Sequence, residues 1–276
     1  MNSKKIIATM LALGMLSGLA ACNGNGNQET SATTEATTEA TTTTEATTEE
    51  SVPSDSEPSE ETEPEILDVA IQMDIIVDNF DLWMVEDDPN DYLYAVTDFN
   101  QDGWLEIVAS SMQGSGLYTT AKILEVNENM ELDEYSFPNE DQEGNSIPDI
   151  GTESLNYYVV DGVYTYIVSD VLRVSASEHH TDVYAMTMDG TSNKVDFKLL
   201  ASCDSSIDEK GNDNAKFVDA DGNEITEEQF NKIAMDKFMA SSSASGFASI
   251  GWKTDKEMEQ EDFEVLLHES WDAFAI

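Results

Sequence analysis

Cysteine, histidine and basic residues are all scarce in this chain. Its 276 residues include 2 Cys, 3 His and 12 Lys plus Arg, against 57 Asp plus Glu, so the formal net charge is −45 at pH 7. Two cysteines cannot form the network of a disulfide-stapled scaffold. The shortage of Lys and Arg excludes nucleic acid as a partner and argues against docking on anionic lipid. The carboxylates instead favour cation binding, solubility in a salty exterior or a basic partner.

The N-terminus has the pattern of a secretory signal. Lys4 and Lys5 are followed by an apolar run over residues 6–19 and by Leu19-Ala20-Ala21-Cys22. The run is short for a transmembrane span of about 20 residues, so we predict a cleaved signal peptide over residues 1–21. The Leu-Ala-Ala-Cys sequence resembles the lipobox of bacterial lipoproteins. That resemblance implies diacylglycerol on Cys22 and an anchor on the extracytoplasmic face of the cell membrane, which two acyl chains hold lastingly.

Residues 22–65 have the composition of a disordered linker. After Cys22 the segment is dominated by Thr, Glu, Ala, Ser and Pro, has no aromatic residue and carries 12 acidic residues. It cannot bury enough apolar surface to offset its ordering entropy, and its like charges favour an extended stalk. The dense threonines could carry O-linked sugar.

Residues 66–276 are predicted to form one extracytoplasmic α+β domain. This part has 10 basic and 45 acidic residues, a net charge of −35. Apolar residues recur at helical spacing over residues 66–83, which predicts an N-terminal amphipathic helix. Cys203, at the end of an apolar stretch, is expected to be a small buried residue.

The middle of the domain has the alternation of an antiparallel β-meander. Strands are expected over residues 92–96, 105–112, 119–126, 155–160, 163–168, 183–188 and 194–201. Asp161-Gly162 is a two-residue hairpin signal because both residues tolerate the positive φ of a type I′ turn. A looser hairpin is expected at Asp189-Gly190 and the three polar residues after it.

The last third of the chain returns to helix. Thr226 to Gln229 is a capping box that opens a helix to about Met239, residues 241–245 are expected to be a loop, and residues 261–274 form a last helix. Helices flanking an antiparallel meander define the α+β class.

One segment, Asp98 to Glu106, has the spacing of a calcium loop. Oxygen-bearing side chains occupy loop positions 1, 3, 5 and 9 (Asp98, Asn100, Asp102 and Glu106), and the Trp104 carbonyl would supply position 7. Ca²⁺ takes six to eight oxygens, and Gly103 permits the sharp turn that gathers them. An EF-hand would need a glutamate at position 12, where Ala109 stands. The alternative interpretation is an Asx turn with incidental carboxylates.

Because a strand follows the loop, the segment resembles the strand-to-strand calcium loops of integrin-type propellers. Together with Asp219 to Thr226, it also resembles uncharacterised surface lipoproteins of Gram-positive bacteria that pair a stalk with such a loop. The first resemblance implies that Asp98, Asn100, Asp102 and Glu106 are side-chain ligands, and the second implies no known activity. We expect the ion to be structural.

The sequence favours a binding module over an enzyme. It has no His-Glu-x-x-His, Gly-x-Ser-x-Gly or phosphate-loop pattern, and His179-His180 lies in a predicted polar loop. A cell-wall glycan or a protein is the expected ligand. The alternative is a cell-wall or polysaccharide hydrolase using paired carboxylates, because pairing across strands is invisible in sequence. Four tyrosines of the Asp-Gly hairpin either form an exposed sugar platform or are divided between core and surface: Tyr157, Tyr158, Tyr164 and Tyr166.

Overall fold

The computed structural model describes residues 67–85, 91–111, 119–138, 147–208, 211–260 and 262–276. All of them belong to one compact unit, Glu60–Ile276. The predicted signal peptide, Cys22 and the linker of residues 22–65 lie outside the described residues. Within the described part, no helix is both long and apolar enough to cross a membrane.

The fold is α+β, as the sequence predicts, but its strands form two sheets. The helices are α1 (Val69–Asp78), α2 (Phe80–Trp83), α3 (Glu227–Phe238), α4 (Asp255–Gln260) and α5 (Phe263–Ala273). The strands are β1 (Tyr92–Thr97), β2 (Glu106–Ser111), β3 (Ala121–Val126), β4 (Leu132–Glu134), β5 (Ser154–Val160), β6 (Val163–Arg173), β7 (Glu178–Asp189), β8 (Lys194–Ile207), β9 (Asp213–Asp219), β10 (Glu224–Ile225), β11 (Ser242–Ser249) and β12 (Lys253–Thr254).

Both sheets are antiparallel meanders with one later strand added at an edge. The first sheet has the order β12-β1-β2-β3-β4, and the second has the order β10-β9-β8-β7-β6-β5-β11. The hairpin turn at Asp161-Gly162 has φ of 53° and 83°, which confirms the predicted positive-φ turn between β5 and β6. The looser turn after Asp189 joins β7 to β8.

The first sheet is buried on both faces. One face packs on α1, α2 and α5 through Trp83, Tyr94 and Ile107, and the other packs on the second sheet through Val108 and Ile123. This explains why every residue of β2 is buried. A smaller cluster joins the far face of the second sheet to α3. The loop between β1 and β2 therefore starts and ends in the most enclosed part of the domain.

Several predicted boundaries are corrected by the structure. The N-terminal helix is broken at Asn79, whose side chain and backbone N–H groups both donate to the Ile75 carbonyl and end α1 there. Residues 241–245, expected to be a loop, belong largely to β11, which is sustained by pairing with β5 rather than by apolar side chains. His179 and His180 lie in β7 rather than in a loop, so their side chains point to opposite faces.

The tyrosines of the β5–β6 hairpin do not form one exposed platform. Tyr166 is fully buried, and Tyr158 is buried on the opposite face of the sheet, where it packs on Phe238 of α3. Tyr157 and Tyr164 are half-buried, with ring centroids 5.6 Å apart. The division between core and surface is the correct interpretation. Cys203 is buried and is the one free cysteine in the described part of the chain, as predicted.

Candidate metal centre

The loop that joins β1 to β2 has a backbone that only a few residue types adopt. Gln101 has φ of 58° and Gly103 has φ of 90°, so the chain makes two left-handed bends within three residues. Glycine adopts such a conformation without steric cost, which accounts for Gly103. These bends bring the side chains at both ends of the loop toward one another.

The carboxylates of the loop are held by its own backbone amides. Asp98 accepts hydrogen bonds from the N–H groups of Asp102 at 3.1 Å and Gly103 at 3.2 Å. Asp102 Oδ1 accepts from the Trp104 N–H at 2.9 Å, and Asn100 Oδ1 accepts from the Asp102 N–H at 3.2 Å. The loop therefore curls around its acidic side chains and fixes their directions before any ligand binds.

Glu106, the first residue of β2, is completely buried. Its Oε2 accepts hydrogen bonds from Thr97 Oγ1 and from the Phe99 N–H, both at 2.9 Å. Its Oε1 is also buried and has no hydrogen-bond partner among the described residues. A buried carboxylate oxygen without a partner is costly, because its lost hydration is not replaced.

Glu125 of β3 adds a fourth carboxylate that the sequence did not identify. It stands directly opposite Glu106 in the pairing of β2 with β3 and is 7% exposed. Opposed residues of an antiparallel pair have Cβ atoms about 4.5–5.5 Å apart, so like charges there repel strongly. The available signal in the sequence is a single carboxylate inside the apolar run Ile123 to Val126.

The side-chain amide of Asn100 lies between these oxygens. Its Nδ2 is 2.8 Å from Glu125 Oε1, 3.0 Å from Asp102 Oδ2 and 3.1 Å from the Tyr135 hydroxyl. Tyr135 also donates to Glu125 Oε1 at 2.7 Å. Within the described ranges, no three or more His, Cys, Asp and Glu side chains are gathered as they would be around one metal ion. A positively polarised amide group takes the central place instead.

Burial raises the pKa values of all four carboxyl groups, and repulsion from neighbouring carboxylates adds to the rise for three of them. Burial, together with the charges of Asp98 and Glu125, raises the pKa of Glu106 well above its usual value. Burial raises the pKa of Glu125 to about 7 and that of Asp98 to about 6, with a nearby Asp102 charge adding to each. Burial also raises the pKa of Asp102 itself. The cluster is thus an electrostatically unfavourable group of acids that a cation would relieve.

Two residues outside the loop hold it in place. The buried amide of Gln72 in α1 donates to the Gly103 carbonyl at 3.0 Å and accepts from the Leu105 N–H at 2.7 Å, so it fixes the backbone on both sides of Trp104. Tyr166 of the second sheet donates to the Phe99 carbonyl at 2.7 Å. These supports link α1 and the second sheet to the loop.

The turn between β7 and β8 lies against the loop at Asn100 and Asp102. A Cβ on Gly190 would be 2.9 Å from Asn100 Nδ2 and 3.0 Å from Asp102 Oδ2, so a larger residue there would make the ends of these side chains shift. Four of the predicted site residues, Asp98, Asn100, Asp102 and Glu106, thus belong to one hydrogen-bonded and electrostatically coupled cluster. The fifth, Trp104, is positioned by the bonds from Gln72 to its two neighbours.

A second polar cluster lies on β7 and β8 of the larger sheet. His180 Nδ1 is 2.7 Å from Asp204 Oδ1, and its Nε2 is 3.0 Å from Asp182 Oδ1. Burial lowers the pKa of His180, but the hydrogen bond to Asp204 and the charges of both aspartates outweigh that effect and raise it. Asp182 also accepts from Ser202 and Tyr184. Both ring nitrogens are engaged by carboxylates, so the arrangement is an ion-paired histidine.

Comparison with known proteins adds no relative. A scan of protein-family models, a search of curated proteins and a search of solved structures each find no match to this chain.

Proposed function

We propose that the domain is a calcium-stabilised binding module, carried outside the cell on a stalk and anchored to the membrane by lipid on Cys22. The observation that supports the calcium site best is Glu106. A fully buried carboxylate with an unpartnered oxygen, placed opposite a second buried glutamate, needs a positive charge to be stable when ionised. Calcium matches these ligands because it takes oxygen donors and tolerates irregular geometry.

The loop has no carboxylate at its position 12, and Glu125 of β3 would take the place of that ligand in the folded domain. With Asp98, Asn100, Asp102, the Trp104 carbonyl and Glu106, it would complete six protein ligands. That number is at the lower end of the range that calcium takes. The ion is a structural one in this proposal, because its ligands come from β2, β3 and the loop that joins β1 to β2.

In this proposal, binding includes a half-turn of the Asn100 amide. The present orientation points Nδ2 at the oxygens of Asp102 and Glu125. A rotation of about 180° at the terminal torsion would exchange Nδ2 for Oδ1, and this torsion is broad and roughly two-fold. The amide thus acts as a substitute for the cation in the calcium-free protein.

The burial of Glu106 argues against a hydrolase that uses Glu106 and Glu125 as its pair of catalytic carboxylates. Glu106 has no exposed surface, so a polysaccharide could not reach it without unfolding of the loop. A glycosidase pair must flank the scissile bond, with carboxyl groups open to the substrate. We therefore propose a binding role rather than hydrolysis.

Thermal unfolding with and without calcium tests the site. With a Kd on the order of 0.1 mM, about 1 mM calcium should add roughly 1.4 kcal/mol to the free energy of unfolding. Asp102→Ala should abolish the shift, whereas Asp133→Ala, which removes an exposed aspartate of β4, should retain it. An unchanged melting temperature in calcium and in chelator, or a full shift in Asp102→Ala, would show that no such site exists.

A further inference from the structure

One side of the calcium loop opens onto a cavity in the described part of the domain. The cavity has a volume of about 440 Å³ and lies between the loop and two turns of the second sheet. Asn100 and Asp102 form one wall, residues 162–164 form the second, and residues 187–191 form the third. Since Glu106 is fully buried and Asp102 is exposed, the cavity meets the metal centre on its outer side.

Two positions on the ion would remain for a ligand from this side. The chain offers six donors, and calcium takes up to eight oxygens. Since Glu106 is buried while Asp102 is exposed and lines the cavity, the remaining positions would be on the side of Asn100, Asp102 and the cavity. Water or the hydroxyl groups of a bound molecule would fill them.

The net charge of the calcium-bound site determines which class of molecule could bind there. Four carboxylates around one Ca²⁺ leave a net charge of −2. The cavity wall adds Asp189, and none of the described residues that line the cavity is a lysine or arginine. Carboxylates and phosphates would be repelled at such a site. Neutral hydroxyl groups coordinate calcium without adding negative charge. The half-buried ring of Tyr164 lines the same cavity and offers an apolar face to a bound molecule.

We propose that this cavity binds a neutral glycan, with two vicinal hydroxyl groups of one sugar completing the calcium coordination. The inference rests on the proposed calcium site and extends it from a structural ion to one that contacts ligand. It differs from the tyrosine platform considered from the sequence, because only Tyr164 of that group lines the cavity.

Affinity electrophoresis through gels containing mannan, dextran, arabinogalactan or xylan tests the proposal. These neutral polysaccharides display vicinal hydroxyl groups in different arrangements. At least one should retard the domain in calcium, and chelator should remove the retardation. Retardation that persists in chelator, or its absence with all four, would overturn the glycan proposal.

Two valines of the same strand provide a matched pair of variants. Val163 lines the cavity and is 46% exposed, whereas Val171 is 50% exposed and does not line it. Val163→Trp should weaken polysaccharide binding at least tenfold, and Val171→Trp should leave it unchanged. Equal losses in both variants would refute the location.

Melting curves of the same proteins separate this proposal from the calcium site. Wild type and Val163→Trp should both be stabilised by calcium. If calcium stabilises the wild type but no polysaccharide binds, the glycan proposal is wrong and the metal site stands. If calcium has no effect, both are wrong. Binding of polylysine that calcium weakens would indicate a basic partner instead.

Discussion

Replacing Glu125 with glutamine should stabilise the calcium-free domain and reduce its response to calcium. Glutamine keeps the shape of the side chain and an oxygen that can accept from Tyr135. It removes the negative charge opposite the buried Glu106. The variant therefore separates the charge of Glu125 from its packing.

The size of the effect follows from the pKa of Glu125. Its pKa rises from 4.5 to about 7 in the folded domain. The folded state therefore holds the proton more tightly than the unfolded state, and stability is lost as pH rises from about 4.5 to 7. At 1.36 kcal/mol for each pKa unit, the ionised side chain costs about 3 kcal/mol at pH 8. For a domain of this size, that corresponds to a difference in melting temperature of about 6–12 °C.

Urea unfolding at pH 8 and pH 4 is the assay. In chelator, Glu125→Gln should be more stable than wild type by about 3 kcal/mol at pH 8 and equal to it at pH 4. At pH 8, calcium at a hundred times the Kd should stabilise the wild type by about 2.7 kcal/mol and the variant much less, because the variant binds the ion poorly. The difference in stability between the two proteins should therefore nearly disappear. Glu131→Gln makes the same charge change at an exposed position and should have no comparable effect. A variant less stable than wild type in chelator, or a gap that calcium leaves unchanged, would refute the reasoning.

Three further predictions concern the supports of the loop and the second polar cluster. Gln72→Leu should lower the free energy of unfolding, measured in urea, by about 2–4 kcal/mol. The reason is that the Gly103 carbonyl and the Leu105 N–H lose their hydrogen-bond partner. An unchanged urea midpoint would contradict this role of Gln72. Tyr166→Phe should cost about 1–3 kcal/mol by the same measurement, since the Phe99 carbonyl loses its buried donor, and a neutral result would mean that the bond contributes nothing. His180 should titrate above its usual pKa of 6.5 in an NMR pH series, and Asp204→Asn should lower that value; an equal pKa in the two proteins would exclude the ion pair.

Local chemistry made part of the fold predictable. Asp161-Gly162 specifies its turn through positive φ, and Thr226 with Gln229 forms the predicted capping box at the start of α3. The apolar face of α5 packs Leu266 and Leu267 into the core as its spacing indicates. Each of these features depends on residues within one helical turn or one hairpin of each other.

Features that depend on pairing between distant segments could not be read in the same way. The ends of β7 and β8 are polar and lack strict alternation, so the sequence indicates a polar loop at His179 and His180 where the structure has a strand. Their strand conformation comes from the neighbouring strands rather than from their own side chains.

In the candidate site, too, residues close together in sequence were predictable and residues brought together by the fold were not. The loop spacing identified Asp98, Asn100, Asp102 and Glu106, because all four lie within nine residues. Glu125 and Gln72 reach the same point only through strand register and helix packing, and no local pattern marks them. Sequence reasoning therefore recovered the contiguous part of the site and missed the part that the tertiary fold supplies.

The most direct test is a crystal structure of the domain grown in calcium, with the ion located from its anomalous scattering. We expect one peak about 2.3–2.6 Å from carboxylate oxygens of Glu106 and Glu125, with Asn100 Oδ1 turned toward it. A map with no anomalous peak at this point, and with Asn100 still hydrogen-bonded to both Asp102 and Glu125, would contradict the proposal that these acids form a calcium site.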